Sequence, residues 1–354
     1  MGGVIIIFAI ASIYSCLPRV WHKQSSYGIS IAPSKLLSAE SKTSLIKYIN
    51  DTANNAQAVV VIKDEKIILA TGATEKLINC HSARKSIMSL LIGIAKEKGM
   101  LKLDETIGSL GINESRTPLT EQEKTATIRD LLMAKSGVYL PAEAETDFAK
   151  KNRPTREQYK PGEFFFYNNF DFNVLGTILE KKSGMSIGAF MEKYLAIPLG
   201  MEHFAASNIV YGNPWPMRKE KSDNRVYWIF LSAGDFARIG AMVAQKGKWH
   251  DQQIVSAAWI NESVKRYTDS LDSKTQSHDG YGYLWWSDND GTIWADGWGG
   301  QFLQIDTAHN LVIAQRNFTG NSLLSSGLFF MKKNRDGYRS DVRYLRKRIV
   351  ENLR

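Results

Sequence analysis

A serine and a lysine that lie three residues apart, Ser82 and Lys85, could form a nucleophile and its base. The apolar residues that follow them repeat every three to four positions and predict an amphipathic helix from Ser86 to Lys98. Positions i and i+3 share one face of a helix, so the lysine ammonium can reach the serine hydroxyl. A desolvated lysine can accept the hydroxyl proton, and a helix N-terminus offers backbone N–H groups to an oxyanion. This spacing predicts a hydrolase that works through an acyl-enzyme.

The Ser-x-x-Lys spacing alone does not separate chemistry from structure. A chain of this length holds roughly one or two such matches by chance, and Ser44 with Lys47 is a second match here. Serine is also a favoured helix N-cap, so Ser82 could simply begin the helix while Lys85 faces solvent. The choice between these interpretations depends on the rest of the chain.

A tyrosine and an asparagine further along, Tyr167 and Asn169, could supply the second proton carrier that such a pair needs. A tyrosine hydroxyl near a lysine ammonium has its phenolate stabilised and can pass a proton between nucleophile and leaving group. Asn169 could form a hydrogen bond with Lys85 or with a substrate amide. The Tyr-x-Asn pattern also begins at Tyr48 and Tyr211, and a buried core tyrosine is the alternative for Tyr167.

A glycine-rich segment between two predicted strands, residues 296–301, is the third candidate. Its glycines would let a substrate approach an edge strand closely, with backbone N–H groups free to bind it. A plain hairpin turn is the alternative. Two Lys-Ser-Gly triplets, at residues 135–137 and 182–184, follow predicted helices and are interpreted as helix C-caps.

The elements that would position these residues are strands near both chain ends with helices between them. Periodicity predicts helices at 36–53, 86–98, 127–135, 171–183, 186–195, 232–246 and 256–266. Strand-type runs lie at 58–62, 66–70, 281–286, 292–295, 302–305 and 311–316. This order predicts an α+β fold, in which one antiparallel sheet from both chain ends is flanked by helices beside a mainly helical lobe at about residues 82–270. A cleft between sheet and lobe would hold the site.

Composition and charge limit the classes of function. The 354 residues are 44% hydrophobic, which is enough for a sizeable core. The net charge of +9 is concentrated near the C-terminus, where residues 331–354 hold nine Lys/Arg and three Asp/Glu. That segment is predicted to be a helix with a buried apolar stripe and a basic, solvated face; attraction to an anionic membrane or envelope polymer is the alternative. No nucleic-acid module is recognisable, and the six histidines lack metal-ligand spacing, so we expect no nucleic-acid partner, no metal and no other cofactor.

The first residues, 1–24, are predicted to be a signal peptide or a membrane or lipoprotein anchor. Val4 to Leu17 is nearly all apolar, and Ser15-Cys16 resembles a bacterial lipoprotein cleavage site. Basic residues follow the apolar run rather than precede it, so an uncleaved anchor stays open. We expect the protein in the cell envelope or periplasm, with residues 25–354 forming the hydrolase domain.

Taken together, these segments resemble the serine β-lactamase-related superfamily, in which Ser-x-x-Lys is a catalytic motif. The chain is most similar to the class C β-lactamase-like branch, with its esterases and 6-aminohexanoate-oligomer hydrolases, from about residue 58 to 316. The similarity extends to the sequence around the motifs, at residues 81–86, 129–132, 136–137, 161–176, 198–201 and 232–238. It implies that Ser82 is the nucleophile, Lys85 its base, Tyr167 the general acid/base and Asn169 a supporting hydrogen-bond partner.

The resemblance also implies an oxyanion hole made by the backbone N–H groups of Ser82 and Gln301, with substrate contacts along Trp298, Gly299 and Gly300. Trp298 stands where β-lactamases and carboxypeptidases of the superfamily usually carry a cation that binds the substrate carboxylate. The Trp-Gly-Gly segment instead resembles esterase-like and oligomer-amide-hydrolase members. We therefore predict hydrolysis of a small-molecule ester, amide or peptide bond through a Ser82 acyl-enzyme. The alternatives are a D-amino-acid peptidase or carboxypeptidase, a weak β-lactamase, and a catalytically silent protein that binds cell-wall peptide.

Overall fold

The computed structural model describes residues 36–51, 56–212, 222–269, 278–319 and 337–353. The predicted leader at residues 1–24, with its Ser15-Cys16 site, lies outside these ranges. Among the helices within them, none combines the length and the hydrophobicity that a membrane span requires.

Strands come from both ends of the chain and meet in one sheet. In chain order they are β1 (Ala58–Lys63), β2 (Lys66–Gly72), β3 (Ile78–Asn79), β4 (Ile209–Tyr211), β5 (Tyr227–Leu231), β6 (Lys248–Trp249), β7 (Gln252–Gln253), β8 (Thr268–Asp269), β9 (Gly280–Tyr281), β10 (Trp286–Ser287), β11 (Ile293–Gly297), β12 (Gln301–Asp306) and β13 (Leu311–Arg316). In the part of the chain that the structure describes, eight of them form an antiparallel sheet in the order β2-β1-β13-β12-β11-β10-β9-β8. The others pair as β3-β5-β4 and as a β6-β7 hairpin.

Helices fill the stretch between the two halves of the sheet and flank it. In chain order they are α1 (Ala39–Asp51), α2 (Arg84–Glu97), α3 (Glu121–Lys124), α4 (Ile128–Leu132), α5 (Asp147–Asn152), α6 (Asn169–Ser183), α7 (Ile187–Met191), α8 (Ala233–Ala244), α9 (Ala257–Val264) and α10 (Gly337–Asn352). A 3-10 turn, His81–Ala83, leads into α2, and the stretch predicted as one helix at 186–195 is α7 followed by a π-helical turn, Glu192–Ala196. This α+β arrangement confirms the predicted fold class.

Two helices cover opposite faces of the sheet and enclose its core. Side chains alternate between the faces along a strand, so on β12 Leu303 faces α8 while Phe302 faces α10. A Cβ at Gly240 of α8 would come within 2.5 Å of Val312 Cγ1, so a glycine is needed for this close packing. Helix α8 lies within the 82–270 stretch predicted as the helical lobe, yet it packs on β1, β12 and β13.

The helix after Ser82 is buried on every side rather than on one face. Every residue from Arg84 to Ala95 is buried, whereas the sequence pattern predicted an amphipathic helix over 86–98. Helix α2 contacts α6, α9 and β11, so its neighbours shield it from solvent all round. The prediction of a single buried face is therefore wrong. The polar residues Arg84, Lys85, Ser86 and Ser89 lie inside the protein, whereas Lys96 and Glu97 at the end of the helix are exposed.

The predicted strand at 281–286 is two short strands, β9 and β10, which form a tight hairpin. Leu284 reverses the chain with a φ of 65°, in the left-handed region that residues with a Cβ rarely adopt. Its N–H donates to the Leu132 carbonyl at 3.1 Å, and the Ser86 hydroxyl donates to its carbonyl at 2.7 Å. These tertiary hydrogen bonds stabilise a turn where the apolar sequence suggested a continuous strand.

The basic terminal helix α10 has the predicted apolar stripe, but two of its arginines do not simply face water. The stripe is buried at Val342, Leu345 and Ile349. Arg343 forms an ion pair with Asp288 at 2.8 Å, and Arg346 forms one with Asp306 at 2.7 Å. The prediction of a solvated basic face is wrong for these two side chains, because acids at the sheet neutralise them.

Candidate active site

The side chains of Ser82, Lys85 and Tyr167 lie together in the structure. Lys85 Nζ is 3.2 Å from Ser82 Oγ and 2.7 Å from the Tyr167 hydroxyl. The same nitrogen lies 4.1 Å from the centre of the Tyr167 ring and 4.4 Å from that of Phe172. Lys85 therefore has a buried amino group that contacts both the candidate nucleophile and the candidate general acid/base. The alternative in which it faces solvent is wrong.

Ser82 sits in the middle of the 3-10 turn rather than at a helix N-cap, since Cys80 and Ala83 hold the two cap positions. The preceding residue, His81, has a φ of 47°. A non-glycine residue in this conformation costs of order 1–3 kcal/mol and persists only where its surroundings hold it. The His81 N–H donates to Asn79 Oδ1 at 2.8 Å, and its ring Nε2 lies 2.8 Å from Thr319 Oγ1. These contacts fix the turn that presents the serine.

A buried arginine next to the lysine, Arg84, braces the same turn. Its Nη1 donates to the His81 carbonyl at 3.1 Å. The guanidinium lies over the rings of Trp228 and Tyr227, 4.6 Å and 5.3 Å from their centres, which offers cation–π stabilisation in place of a carboxylate. Burial lowers the pKa of Arg84. The sequence alone indicated no role for this residue.

Tyr167 lies just ahead of α6, and the structure separates its role from that of Asn169. Helix α6 begins at Asn169, whose side-chain amide donates to the Ala144 carbonyl and so ties down the neighbouring loop. The described hydrogen bond of Asn169 is thus to this loop, and its predicted hydrogen bond with Lys85 stays a prediction. A contact between Asn169 and substrate stays a prediction.

A buried carboxyl, Asp171, lies one helical turn beyond Tyr167. It accepts hydrogen bonds from the Ser136 hydroxyl at 2.5 Å and from Asn168 Nδ2 at 3.3 Å. Burial raises the pKa of Asp171 well above its usual range, and the hydrogen bonds from Ser136 only partly oppose this. The triplet 135–137 is thus not the predicted C-cap, because α4 already ends at Leu132 and Ser136 binds Asp171 instead. The triplet 182–184 does end a helix, with Gly184 at a φ of 68°.

The third segment brings the end of β11 against the nucleophile turn. A Cβ at Gly297 would lie 2.3 Å from the Cys80 carbonyl oxygen and 3.1 Å from the Ala83 nitrogen. Gly299 and Gly300 follow with φ values of 79° and 83°, and a Cβ at Gly300 would also meet Asn317 Nδ2 at 2.6 Å. Glycine is therefore required here by close approach at one position and by backbone conformation at the next two.

Trp298 and Gln301 occupy the two ends of this turn. The Trp298 ring meets the His81 ring edge-on, with 5.0 Å between centres, so the indole lies beside the residue that precedes the nucleophile. Gln301 is fully buried at the start of β12, directly opposite Gly297 in the strand pairing. Its side-chain oxygen accepts a hydrogen bond from Arg316 Nε at 3.0 Å. The predicted oxyanion donors, on Ser82 and Gln301, thus lie on elements that contact each other.

Behind this segment, a buried charge network links the sheet to α10. His278 has Nδ1 2.9 Å from Asp288 Oδ1 and Nε2 3.0 Å from Asp296 Oδ2, and Arg339 also binds Asp296. Burial alone would raise the pKa of Asp296, but Arg339 and His278 outweigh it and hold that pKa well below the usual range. The His278 ring also stacks on Trp286, whose ring lies 5.3 Å from that of Tyr167. Among the residues described, no group of three or more His, Cys, Asp or Glu is arranged to hold a metal ion.

Sequence reasoning missed the residues that brace the site rather than act in it: Arg84, Ser136, Asp171, His278 and Arg316. Most of their partners are far away in the chain, so no local motif marks them. Arg316 carries one weak signal. It ends an apolar strand at a position that shares a face with Val312 and Ala314, where alternation would predict another core residue.

Comparisons with known proteins agree with this geometry. The Beta-lactamase family model matches residues 48–315. Protein flp of Staphylococcus aureus (strain MW2) is 23% identical over an alignment 168 residues long, and the alignment covers 41% of this chain and 34% of that protein. The chain therefore spans about a third of the length of the curated relatives that it matches.

Solved structures share the fold at low sequence identity. A protein from Bacillus anthracis with a provisional assignment as 6-aminohexanoate-dimer hydrolase has a TM-score of 0.61 and 16% identity, covering 92% of this chain and 90% of that one. A beta-lactamase from Mycobacterium bovis has a TM-score of 0.54 and 18% identity, covering 82% and 100%. Because the family match covers most of the chain and includes all three candidate motifs, the protein belongs to the beta-lactamase family.

Proposed function

We propose that the protein hydrolyses a neutral carboxylic ester or amide through an acyl-enzyme on Ser82. The observation that carries this proposal is the shared contact of Lys85 Nζ with Ser82 Oγ, at 3.2 Å, and with the Tyr167 hydroxyl, at 2.7 Å. A proton can pass along this line without any side chain moving far. The Lys85–Tyr167 pair acts as one unit because a proton shared over such a distance can reside on either atom.

In the first half of the reaction, Ser82 Oγ attacks the substrate carbonyl while the Lys85–Tyr167 pair accepts the hydroxyl proton. The carbonyl oxygen becomes an oxyanion, to which the backbone N–H groups of Ser82 and Gln301 would donate. The intermediate collapses, the bond to the leaving group breaks, and Tyr167 returns the proton to the leaving group. In the second half, water loses a proton to the same pair and attacks the acyl-enzyme, which releases the acid and restores Ser82.

The substrate class follows from Trp298, which would form an apolar wall beside the nucleophile turn. An indole offers area to an acyl or aromatic group but carries no positive charge to form an ion pair with a carboxylate. The edge-on contact between the Trp298 and His81 rings supports this position, because His81 directly precedes Ser82 in the chain. Neutral esters and amides are therefore preferred over β-lactams, which carry a carboxylate.

The test is an activity profile of the purified protein with short acyl esters, D-amino-acid amides and a chromogenic cephalosporin. We expect the highest kcat/KM for the neutral esters. The Ser82→Ala variant should lose both hydrolysis and labelling by a fluorophosphonate while keeping its fold. Ser44→Ala is the matched control, because Ser44 belongs to the second Ser-x-x-Lys match and is exposed on α1.

Labelling that persists in Ser82→Ala and disappears in Ser44→Ala would refute the assignment of the nucleophile. A kcat/KM that is highest for D-amino-acid amides would identify a peptidase instead. Tight binding of cell-wall peptide without turnover would identify a silent binding protein.

We also propose export, on the sequence of residues 1–24 alone. The apolar run before Cys16 predicts delivery to the cell envelope, with the N-terminus as a membrane or lipid anchor. Fractionation of the native host checks this, since unprocessed protein in the soluble cytoplasm would contradict it.

A further inference from the structure

Arg316, at the end of β13, connects three separate pieces of chain around the active site. Its Nε donates to Gln301 Oε1 at 3.0 Å, its Nη1 to Cys80 Sγ at 3.2 Å, and its Nη2 to the Ile78 carbonyl at 2.5 Å. Cys80 and Ile78 lead directly into the turn that carries Ser82, while Gln301 begins β12. One planar guanidinium therefore joins the two elements on which the predicted oxyanion donors lie.

Arg316 is also a buried positive charge, and no carboxylate is among its hydrogen-bond partners in the described part of the chain. It is fully buried, and its hydrogen-bond partners among the described residues are an amide, a thiol and a backbone carbonyl. Burial raises the pKa of the Cys80 thiol, so this partner stays neutral. By contrast, the buried Arg238 binds the carboxylate of Asp235 at 2.9 Å.

A guanidinium keeps its positive charge in proteins, and burying an unpaired charge is costly. The Phe236 ring, whose centre lies 4.9 Å from the Arg316 guanidinium, offsets part of this cost through a cation–π contact. A hydrophobic residue of similar length would avoid the cost altogether. The position therefore carries an energetic penalty that a purely structural role does not require.

We propose that Arg316 is a positioning residue for the oxyanion hole. It fixes the Ser82 turn relative to Gln301 and places an unneutralised positive charge behind the two N–H donors. The charge matters most when the carbonyl oxygen becomes negative, because electrostatic stabilisation in a desolvated site acts on charge that develops in the transition state. This inference rests on the proposed acyl-enzyme function.

The two contributions can be separated by substitution. Arg316→Met removes both the charge and the three hydrogen bonds, whereas Arg316→Lys keeps the charge but has a single nitrogen for three acceptors. We expect kcat for a neutral ester to fall about 10–100-fold in Arg316→Met, below the 10²–10³ typical of losing an oxyanion donor itself. KM should change by less than about threefold, and Arg316→Lys should recover part of kcat.

A second measurement reports on the oxyanion directly. A phenylboronic acid forms a tetrahedral adduct with the nucleophile, so its Ki should rise in parallel with the loss of kcat/KM. Arg238→Met is the matched control, because it removes a buried arginine on α8 that lies in an ion-pair network with Asp235 and Glu202. We expect this control to lower Tm while leaving kcat and the boronate Ki of the folded protein unchanged.

The outcomes distinguish the two proposals. If the wild-type protein hydrolyses esters and the folded Arg316→Met variant, measured below its melting transition, keeps kcat and the boronate Ki within threefold of wild type, the role of Arg316 is refuted and the function stands. Should Arg316→Met fail to fold, the same result in Arg316→Gln, which also removes the charge, refutes the role. An equal loss of kcat and of boronate binding in Arg238→Met would also refute the role, because it would show that removing any buried arginine has this effect. A wild-type protein that neither turns over esters nor reacts with a fluorophosphonate refutes the proposed function, and this inference falls with it.

Discussion

A single methyl group added at Gly297 should lower kcat in a protein that still folds. In the structure, a Cβ at this position would lie 2.3 Å from the carbonyl oxygen of Cys80, and neither atom belongs to a flexible side chain. Real Cβ atoms essentially never come closer than 3.0 Å to a non-bonded heavy atom. To lengthen the contact from 2.3 Å to 3.0 Å, the end of β11 and the Ser82 turn must separate by about 0.7 Å. The φ of Gly297 is not positive, so the strain comes from the contact rather than from the backbone conformation of an alanine.

The size of the effect follows from that displacement. The Ser82 turn carries both the nucleophile and one predicted oxyanion donor, and the strand end carries the other. A misplacement of about 1 Å at a reacting group can cost about 10²-fold in rate, so the shift in Gly297→Ala should lower kcat about 10- to 100-fold. KM should change little, since the substrate-binding surface of Trp298 is not altered directly.

The assay is steady-state hydrolysis of a neutral acyl ester, combined with the rate of fluorophosphonate labelling and with urea denaturation. Gly234→Ala is the neutral control, because a Cβ there meets nothing closer than 3.9 Å. Gly93→Ala is the destabilising control, because a Cβ there would lie 2.2 Å from Trp259 Nε1, away from the reacting groups. A Gly297→Ala protein with kcat within threefold of wild type would refute the reasoning, as would an equal loss of kcat in folded Gly93→Ala.

Three further predictions concern the site and the charge network behind it. Lys85→Ala and Tyr167→Phe should each lower kcat by about 10²-fold. The double variant should lose far less kcat than the product of the two single losses, because one proton-transfer step uses both groups. Losses that multiply would contradict a shared step. Trp298→Lys should reduce the preference for a neutral ester over an anionic cephalosporin by about 10–150-fold, since a charge-assisted hydrogen bond contributes about 1.5–3 kcal/mol, whereas Trp298→Phe should keep the preference. Burial alone would raise the pKa of Asp288, but hydrogen bonds from His278 and from an arginine of α10 outweigh it and lower the pKa to about 2. The Asp288 carboxylate should therefore contribute about 2 kcal/mol to the free energy of unfolding above pH 4, and this contribution should disappear as the pH falls from about 4 to about 2. Urea denaturation of wild type and Asp288→Asn at each pH measures the contribution. A difference in unfolding free energy between the two proteins that stays constant over this range would contradict the prediction.

The parts of the site that the sequence predicted are those that local geometry determines. Ser82 and Lys85 meet because residues three apart lie on one side of a helical turn, and this holds whatever surrounds the helix. The third segment was recognisable because glycines between two strand-type runs indicate a turn with unusual backbone demands. The order of the motifs along the chain then placed Tyr167 beside Lys85 through a resemblance to a family rather than through spacing.

The parts that the sequence did not predict depend on contacts between residues far apart in the chain. Arg316 contacts Cys80 and Gln301, and the alternation along β13 gives only a weak local sign that this arginine points into the core. Ser136 was interpreted as part of a helix C-cap, although its hydroxyl binds Asp171, which lies 35 residues away. The basic residues of α10 suggested a solvated face for the same reason, because the acids that neutralise Arg343 and Arg346 belong to the sheet.

Side chains from both faces of the sheet hold the third segment, residues 296–301, in place. Arg316 reaches the start of β12 from the α8 face, and Arg339 binds Asp296 near the end of β11 from the α10 face. The strand ends that carry the predicted donor and the close glycine contact are thus held from both sides, while Trp298 lies in the turn between them. A change in that turn can then alter which substrates bind without moving the donors. This is the physical reason to expect that Trp298→Lys changes the ratio of two substrates, whereas a methyl group at Gly297 lowers kcat for every substrate alike.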